Sequence, residues 1–312
     1  MNYFYTAGSD AKNCMLDEIF YCGLRGDVVE IKNKRCKLLV VELGRVNELV
    51  IENVKTERLI LQAVLCNSIR ISKSSISEDL IIDYLQVKQN IFIEDTEVGS
   101  ILEIRNSNVK GDMVIEDAGF VLNSLILLSD NIIEGSINVR GPGAFKSLSI
   151  NSNEVSDILV ERVNFSEDVA ICDCIIKGTL ELNNVKIKGE LNLSNTAIEK
   201  ALEFDEADVS RIRYEYFATP SPKVEESLYR KLRLICERFG KRGEADEYFV
   251  LEMDAKRRQK QAIVAFLERL FMFFFSYGVS IKRVLFTWSI MVFLFSLLYY
   301  LGSGVLNACD FF

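Results

Sequence analysis

Histidine is absent from this chain. That absence removes Ser-His-Asp and Cys-His catalysis and every histidine-ligated metal site. Proline is scarce, at 3 of 312 residues, and no long stretch is low in complexity, so extended disorder is not expected. Neither G-x-G-x-x-G nor a redox C-x-x-C occurs, so the motifs of dinucleotide and dithiol chemistry are missing. The eight cysteines, Cys14, Cys22, Cys36, Cys66, Cys172, Cys174, Cys236 and Cys309, have no framework spacing. They read as small residues of a reduced core, and the single C-x-C lacks the two further ligands a metal site needs. The start, Met1-Asn-Tyr-Phe-Tyr, has no basic segment and no long apolar run, so no signal peptide is expected. No catalytic residue, metal or cofactor is expected.

What is present is unevenly placed. About half of the residues are apolar and the net charge is −8. Residues 220–283 carry fourteen Lys/Arg against nine Asp/Glu, a net of +5. The remainder is therefore acidic. A basic segment beside an apolar run points to a membrane surface rather than to nucleic acid.

A short pattern recurs through most of the chain. Leu180-Glu-Leu182-Asn-Asn-Val185-Lys-Ile187 is followed by Leu191-Asn-Leu193-Ser-Asn-Thr196-Ala-Ile198 and then Leu202-Glu-Phe204-Asp-Glu-Ala207-Asp-Val209. About seventeen such units recur roughly every 11 residues. The first apolar pairs begin at Leu39/Val41 and end at Ile212/Tyr214. Five residues after a pair comes another inward candidate: Ile76, Val87, Val98, Val109, Phe120, Ile133, Val155, Phe165, Ile176, Ile187, Ile198 and Val209. Two residues earlier the position is often small: Ser74, Thr96, Ser107, Ala118, Cys174, Thr196 and Ala207.

Inward positions thus alternate at five and six residues. A helix needs three and four. A parallel β-solenoid with one short strand per side satisfies the spacing, with like residues stacked in ladders. Two units make one four-sided coil, giving about eight coils and a rod of roughly 40 Å. A small residue, one residue and an aliphatic residue at five-residue spacing resemble the pentapeptide-repeat proteins. That resemblance covers residues 28–217 and implies a mainly β fold, a right-handed parallel β-helix. The chain departs from the family pattern, since Leu or Ile often replaces the small residue and every second step has six residues.

Residues 1–27, with Phe4, Leu16, Ile19 and Phe20, lack the repeat and are expected to cap the open first coil. Arg140-Gly-Pro-Gly143 interrupts a unit and is expected to be a bulged corner. Asn183-Asn184, Ser194-Asn195, Glu94-Asp95 and Glu116-Asp117 recur at corner phase and read as solvated turns.

The C-terminal part changes character. Residues 218–261 are expected to form a juxtamembrane helical pair. Pro220 and Pro222 open the first helix, which carries Val224, Leu228, Leu232, Ile235 and Phe239 at helical spacing and stops at Gly240. The second spans Glu244 to Lys260. Residues 262–278 form an amphipathic interfacial helix with Phe266, Leu270, Phe273, Phe274 and Phe275. Residues 279–312 hold a transmembrane helix, Val284 to Leu301, and a short tail. Its anchors are Lys282, Arg283, Trp288, Phe293, Phe295, Tyr299 and Tyr300, basic and aromatic residues of the kind that mark membrane interfaces. The positive-inside rule then puts the solenoid in the cytoplasm, on a single-pass protein of the cytoplasmic membrane.

Tyr229-Arg-Lys-Leu-Arg-Leu-Ile-Cys-Glu-Arg-Phe-Gly240, Glu244-Ala-Asp-Glu-Tyr-Phe249, Glu252-Met-Asp-Ala-Lys-Arg-Arg258 and Tyr277-Gly278 resemble the juxtamembrane part of bacterial pentapeptide-repeat membrane proteins. Several of those continue into a two-helix channel module. Here Gly302-Ser-Gly304 follows the span, with neither a filter sequence nor a second span before Phe312. The expected function is a non-enzymatic, membrane-anchored solenoid that binds a cytoplasmic protein or self-associates as a scaffold. Its partners are membrane lipid, that protein or further copies, and not nucleic acid. The alternative is an oligomeric pore-forming or channel-related subunit, or a membrane-perturbing defence effector, with Ser289 and Ser296 lining a bundle. DNA mimicry and enzymatic activity rank below both.

Overall fold

A computed structural model describes residues 16–117, 124–213, 222–238, 240–275, 277, 279 and 281–309. The chain divides into two compact units, Met1–Pro220 and Ser221–Phe312.

The first unit is mainly β, a parallel solenoid of about nine turns. Its strands pair in register one coil apart. On one long side Leu39 faces Leu59, Leu80 faces Leu102, and Leu148 faces Val169. On the other, Leu49 faces Ile69, Ile91 faces Met113, and Ile158 faces Leu180. Two-residue strands such as Ser75–Ile76 and Gln86–Val87 build the two short sides. Alternation sends each pair inward: Leu59, Leu61, Ile69, Ile71, Leu180 and Leu182 are fully buried. Each such burial contributes about 1.5–3 kcal/mol. The core is a column of aliphatic ladders, and the polar residues between the inward positions face solvent. Ion pairs such as Lys37–Asp17 and Lys177–Glu154 join adjacent coils on the surface and contribute little individually.

The coils are not uniform. A ladder step is 20 residues from Leu39 to Leu59, 22 from Leu80 to Leu102 and 24 from Leu102 to Ile126. The alternation of five and six therefore begins only after Ile76; earlier sides all have five. Six-residue sides need room at the corner. A side chain on Gly99 would collide with the Ser77 carbonyl of the preceding coil. Asx side chains then satisfy the displaced backbone: Asp112 Oδ1 accepts from Ser136 N at 2.8 Å, and Asp157 Oδ1 from Thr179 N at 2.7 Å.

Corners explain the small inward position. Among the described residues, sixteen non-glycine residues of the solenoid have φ between 45° and 58°, and nine are Asn or Asp. That left-handed conformation suits short polar side chains, which bond locally. Asp95, Asp117, Asn184 and Asn195 are among them, so the Asn and Asp residues read as turns do turn the chain. The next residue points inward and satisfies the turn's backbone. Asn131 Oδ1 accepts from Ser107 N, and Asn153 Oδ1 from Asn131 N, both at 3.0 Å. Asn153 Nδ2 donates to Leu128 O at 2.8 Å, and Thr196 Oγ1 to Ile171 O at 2.7 Å. Ser107, Asn131, Asn153, Cys174 and Thr196 are thus a buried polar ladder inside an apolar column. Ala118, Phe120 and Tyr214 lie outside the described residues.

One expectation needs correction. Regular pairing starts inside the segment read as a cap: strand Leu16–Cys22 pairs with Cys36–Glu42, and Arg25–Lys32 with Arg45–Glu52. This extra coil accounts for about nine turns in place of eight. The pattern is hidden because Tyr21 stands opposite Val41 and Gly26 opposite Val46, so neither row is aliphatic in this coil. Phe4 and the rest of residues 1–15 lie outside the described residues. The Gly-Pro-Gly break is a corner, as expected, with a definite cause. Gly141 has φ +126°, and a side chain on Gly143 would strike the Phe145 ring. Phe145 stacks on Phe165 inside the column, with centroids 5.6 Å apart.

Candidate membrane-anchoring site

Four helices form the second unit. Helix α1 spans Pro222–Arg238, and its proline sits in the first turn, where a missing N–H costs nothing. Leu228, Leu232 and Cys236 recur on one face and are buried, with Tyr229 beside them. Gly240, at φ +72°, turns the chain into α2, Arg242–Arg258. This helix starts and ends two residues earlier than the periodicity suggests. It contributes Ala245 and Ala255 to the contact, small residues that let the helices close.

Charge specifies the pairing. Glu252 is 2% exposed and accepts from Arg230 Nε and Arg233 Nε, each at 2.9 Å. The Arg233 guanidinium also lies 5.6 Å from the Phe249 ring centroid. Glu225, buried on α1, pairs with Arg258 at 2.6 Å, and Gln259 Nε2 donates to Pro222 O at 3.1 Å. Burial pushes the Cys236 thiol up to about 11, helped by neighbouring Glu244. Burial likewise raises Cys66 to about 12 and Cys174 to about 11 in the solenoid. These thiols stay protonated at neutral pH and are poor nucleophiles.

Helix α3, Ala262–Phe275, starts where the sequence places it and ends three residues short of the 262–278 segment. Arg257 reaches Met272 Sδ at 3.4 Å, and Lys260 pairs with Glu268. The apolar side chains of α3 point elsewhere. Phe266 is 60% exposed and Phe273 73%, with Leu270 and Phe274 also exposed. The side chain of Phe275 lies outside the described residues.

Helix α4, Ile281–Cys309, holds a 20-residue stretch, Ile281–Tyr300, that is long and apolar enough to cross a membrane. At 1.5 Å per residue it covers about 30 Å, the thickness of a hydrocarbon core. Only 6% of its most apolar window is buried within the protein. Lys282 and Arg283 stand in its first turn, exposed. Trp288, Phe293, Phe295, Tyr299 and Tyr300 are all exposed as well.

One polar contact joins α3 to α4. Thr287 Oγ1, 9% exposed, lies 2.7 Å from Phe274 O and 2.9 Å from Arg283 O. It satisfies a carbonyl that the end of α3 leaves open. Nothing in the periodicity marks Thr287 or the buried Glu252; a lone polar residue within an apolar helical face was the only available signal. Ser289 donates to Leu285 O of its own helix at 2.9 Å.

Among the described residues the solenoid surface carries a shallow groove of about 390 Å³ beside Ile132 and Ile175, and another of about 680 Å³ beside Gly23 and Leu43. Among the described residues no group of three His, Cys, Asp or Glu is placed to hold a metal ion. Comparison of the chain with protein-family models, with curated proteins and with solved structures gives no match.

Proposed function

We propose that this protein is a single-pass, membrane-anchored β-solenoid of the pentapeptide-repeat kind that presents its coils to a cytoplasmic protein or to further copies of itself. One observation carries the reading: within the candidate span, Val284–Tyr300 carries no charge and is almost wholly exposed. A soluble core helix of that length would bury a face against its own protein. Lys282 and Arg283 precede the span, which by the positive-inside rule leaves the solenoid in the cytoplasm. The ladders supply a long regular surface of the type that solenoids use to bind proteins. A pore-forming role has no observation of its own here, since Ser289 returns its hydroxyl to its own helix.

Membrane fractionation tests the anchor. The full chain should resist extraction at alkaline pH, and a chain ending at residue 278 should appear in the soluble fraction. Recovery of the full chain in the soluble fraction would end this reading. A voltage-sensitive dye during expression separates tether from pore: unchanged potential fits a tether, and depolarisation by the full chain alone fits a pore.

A further inference from the structure

The cations of the second unit fall into two groups. Some, mostly on the helical pair, are matched. Arg230 and Arg233 meet Glu252, Arg258 meets Glu225, Lys241 meets Glu244, and Lys260 meets Glu268. Lys223, Arg238, Arg242, Lys256, Arg269, Lys282 and Arg283 are exposed and make no ion pair among the described residues. Three of these seven lie on the two helices with exposed apolar flanks: Arg269 on α3, and Lys282 and Arg283 on α4.

Their positions are unfavourable for the isolated chain. The first turn of a helix carries a partial positive charge that disfavours Lys and Arg. The first turn of α4 has both and no acidic residue to offset them. Glu268 and Arg269 interrupt the apolar run of α3 between Leu267 and Leu270, each 40% exposed or more, and Glu268 is engaged by Lys260. The Thr287–Phe274 contact holds the end of α3 one turn beyond Arg283, so the basic pair and the Phe273–Phe274 pair share one junction. Apolar rings beside uncompensated cations match the boundary of a bilayer, with acyl chains against the rings and phosphates against the cations.

Resting on the membrane reading above, we infer that the α3–α4 junction selects anionic phospholipid, with Arg269, Lys282 and Arg283 meeting its headgroups. A zwitterionic headgroup offers the same phosphate but carries its own cation, and so gives no net attraction. The acidic solenoid is repelled by an anionic surface, so the preference belongs to the junction.

The chain contains a single tryptophan, Trp288, 67% exposed and less than two turns beyond Arg283. It reports on the lipid beside it. The full chain is reconstituted in vesicles of mixed phosphatidylcholine and phosphatidylglycerol, with one or the other lipid brominated on its acyl chains. Brominated phosphatidylglycerol should quench Trp288 more strongly at equal mole fraction, with a local enrichment of about fivefold per engaged cation. In K282Q/R283Q the two lipids should quench nearly alike, and high salt should narrow the difference in the wild-type chain. Equal quenching in the wild-type chain, or an unchanged preference in the double variant, overturns the inference and leaves the membrane reading standing. Absence of quenching by either lipid overturns both.

Discussion

The solenoid and the last two helices use the same kinds of side chain and place them oppositely. Leu180, Leu182 and Ile171 are fully buried, whereas Phe273 is 73% and Phe293 67% exposed. In the solenoid one outward residue separates the two inward residues of each long-side strand, and polar corner residues follow, so inside and outside alternate along the chain. Helix α4 has no such boundary between Val284 and Leu301, so its surroundings must supply the apolar phase. Periodicity tells the two regions apart.

The same substitution should separate the regions most sharply. Leu182→Asp puts an unpaired carboxylate at a fully buried site, which costs several kcal/mol. The solenoid should lose its cooperative melting transition by circular dichroism. Leu294→Asp should leave that transition unchanged and instead weaken membrane insertion by about 2.5–3.5 kcal/mol, read as a shift to the soluble fraction. Equal effects on melting would erase the distinction.

Smaller changes probe the column alone. Phe165→Ala empties a site stacked on Phe145 and should cost about 3–5 kcal/mol in denaturant unfolding. Asn153→Ala strips Asn131 N and Leu128 O of their partner and should cost about 1–3 kcal/mol by the same measurement. Smallest, and opposite in sign, is Leu43→Gly. Leu43 holds φ 52° and is 62% exposed, so relief of backbone strain should raise stability by about 0.5–1 kcal/mol, as a higher melting temperature.

Most of the column was legible because burial alternates at fixed spacing. Val98, Val109, Ile187 and Val209 are each buried where the pattern places them. The first described coil escaped because Tyr21 and Gly26 stand in its rows where the next coil has Val41 and Val46. The corners were half legible: Asn and Asp announce a left-handed turn, but Leu43, Ala63 and Tyr84 adopt it only because their neighbours in the ladder do. In the second unit the helices could be read and their clasp could not. Glu252 with Arg230 and Arg233, and Thr287 with Phe274, join residues that no local pattern relates.

The unequal coils bear on how such a chain can change its length. Each ladder returns to its partner after 20 to 24 residues. Duplicating or deleting one whole turn therefore keeps every row in line. A change of half a turn still sends paired aliphatic residues inward on both long sides, but it sets the polar row of Asn131 and Asn153 against the row of Val163 and Val185 at the join. From that point onward it also exchanges what the two long faces show to solvent. Length variants of this gene would therefore come in two kinds, one that extends the rod and one that re-sorts its exterior and breaks the polar row.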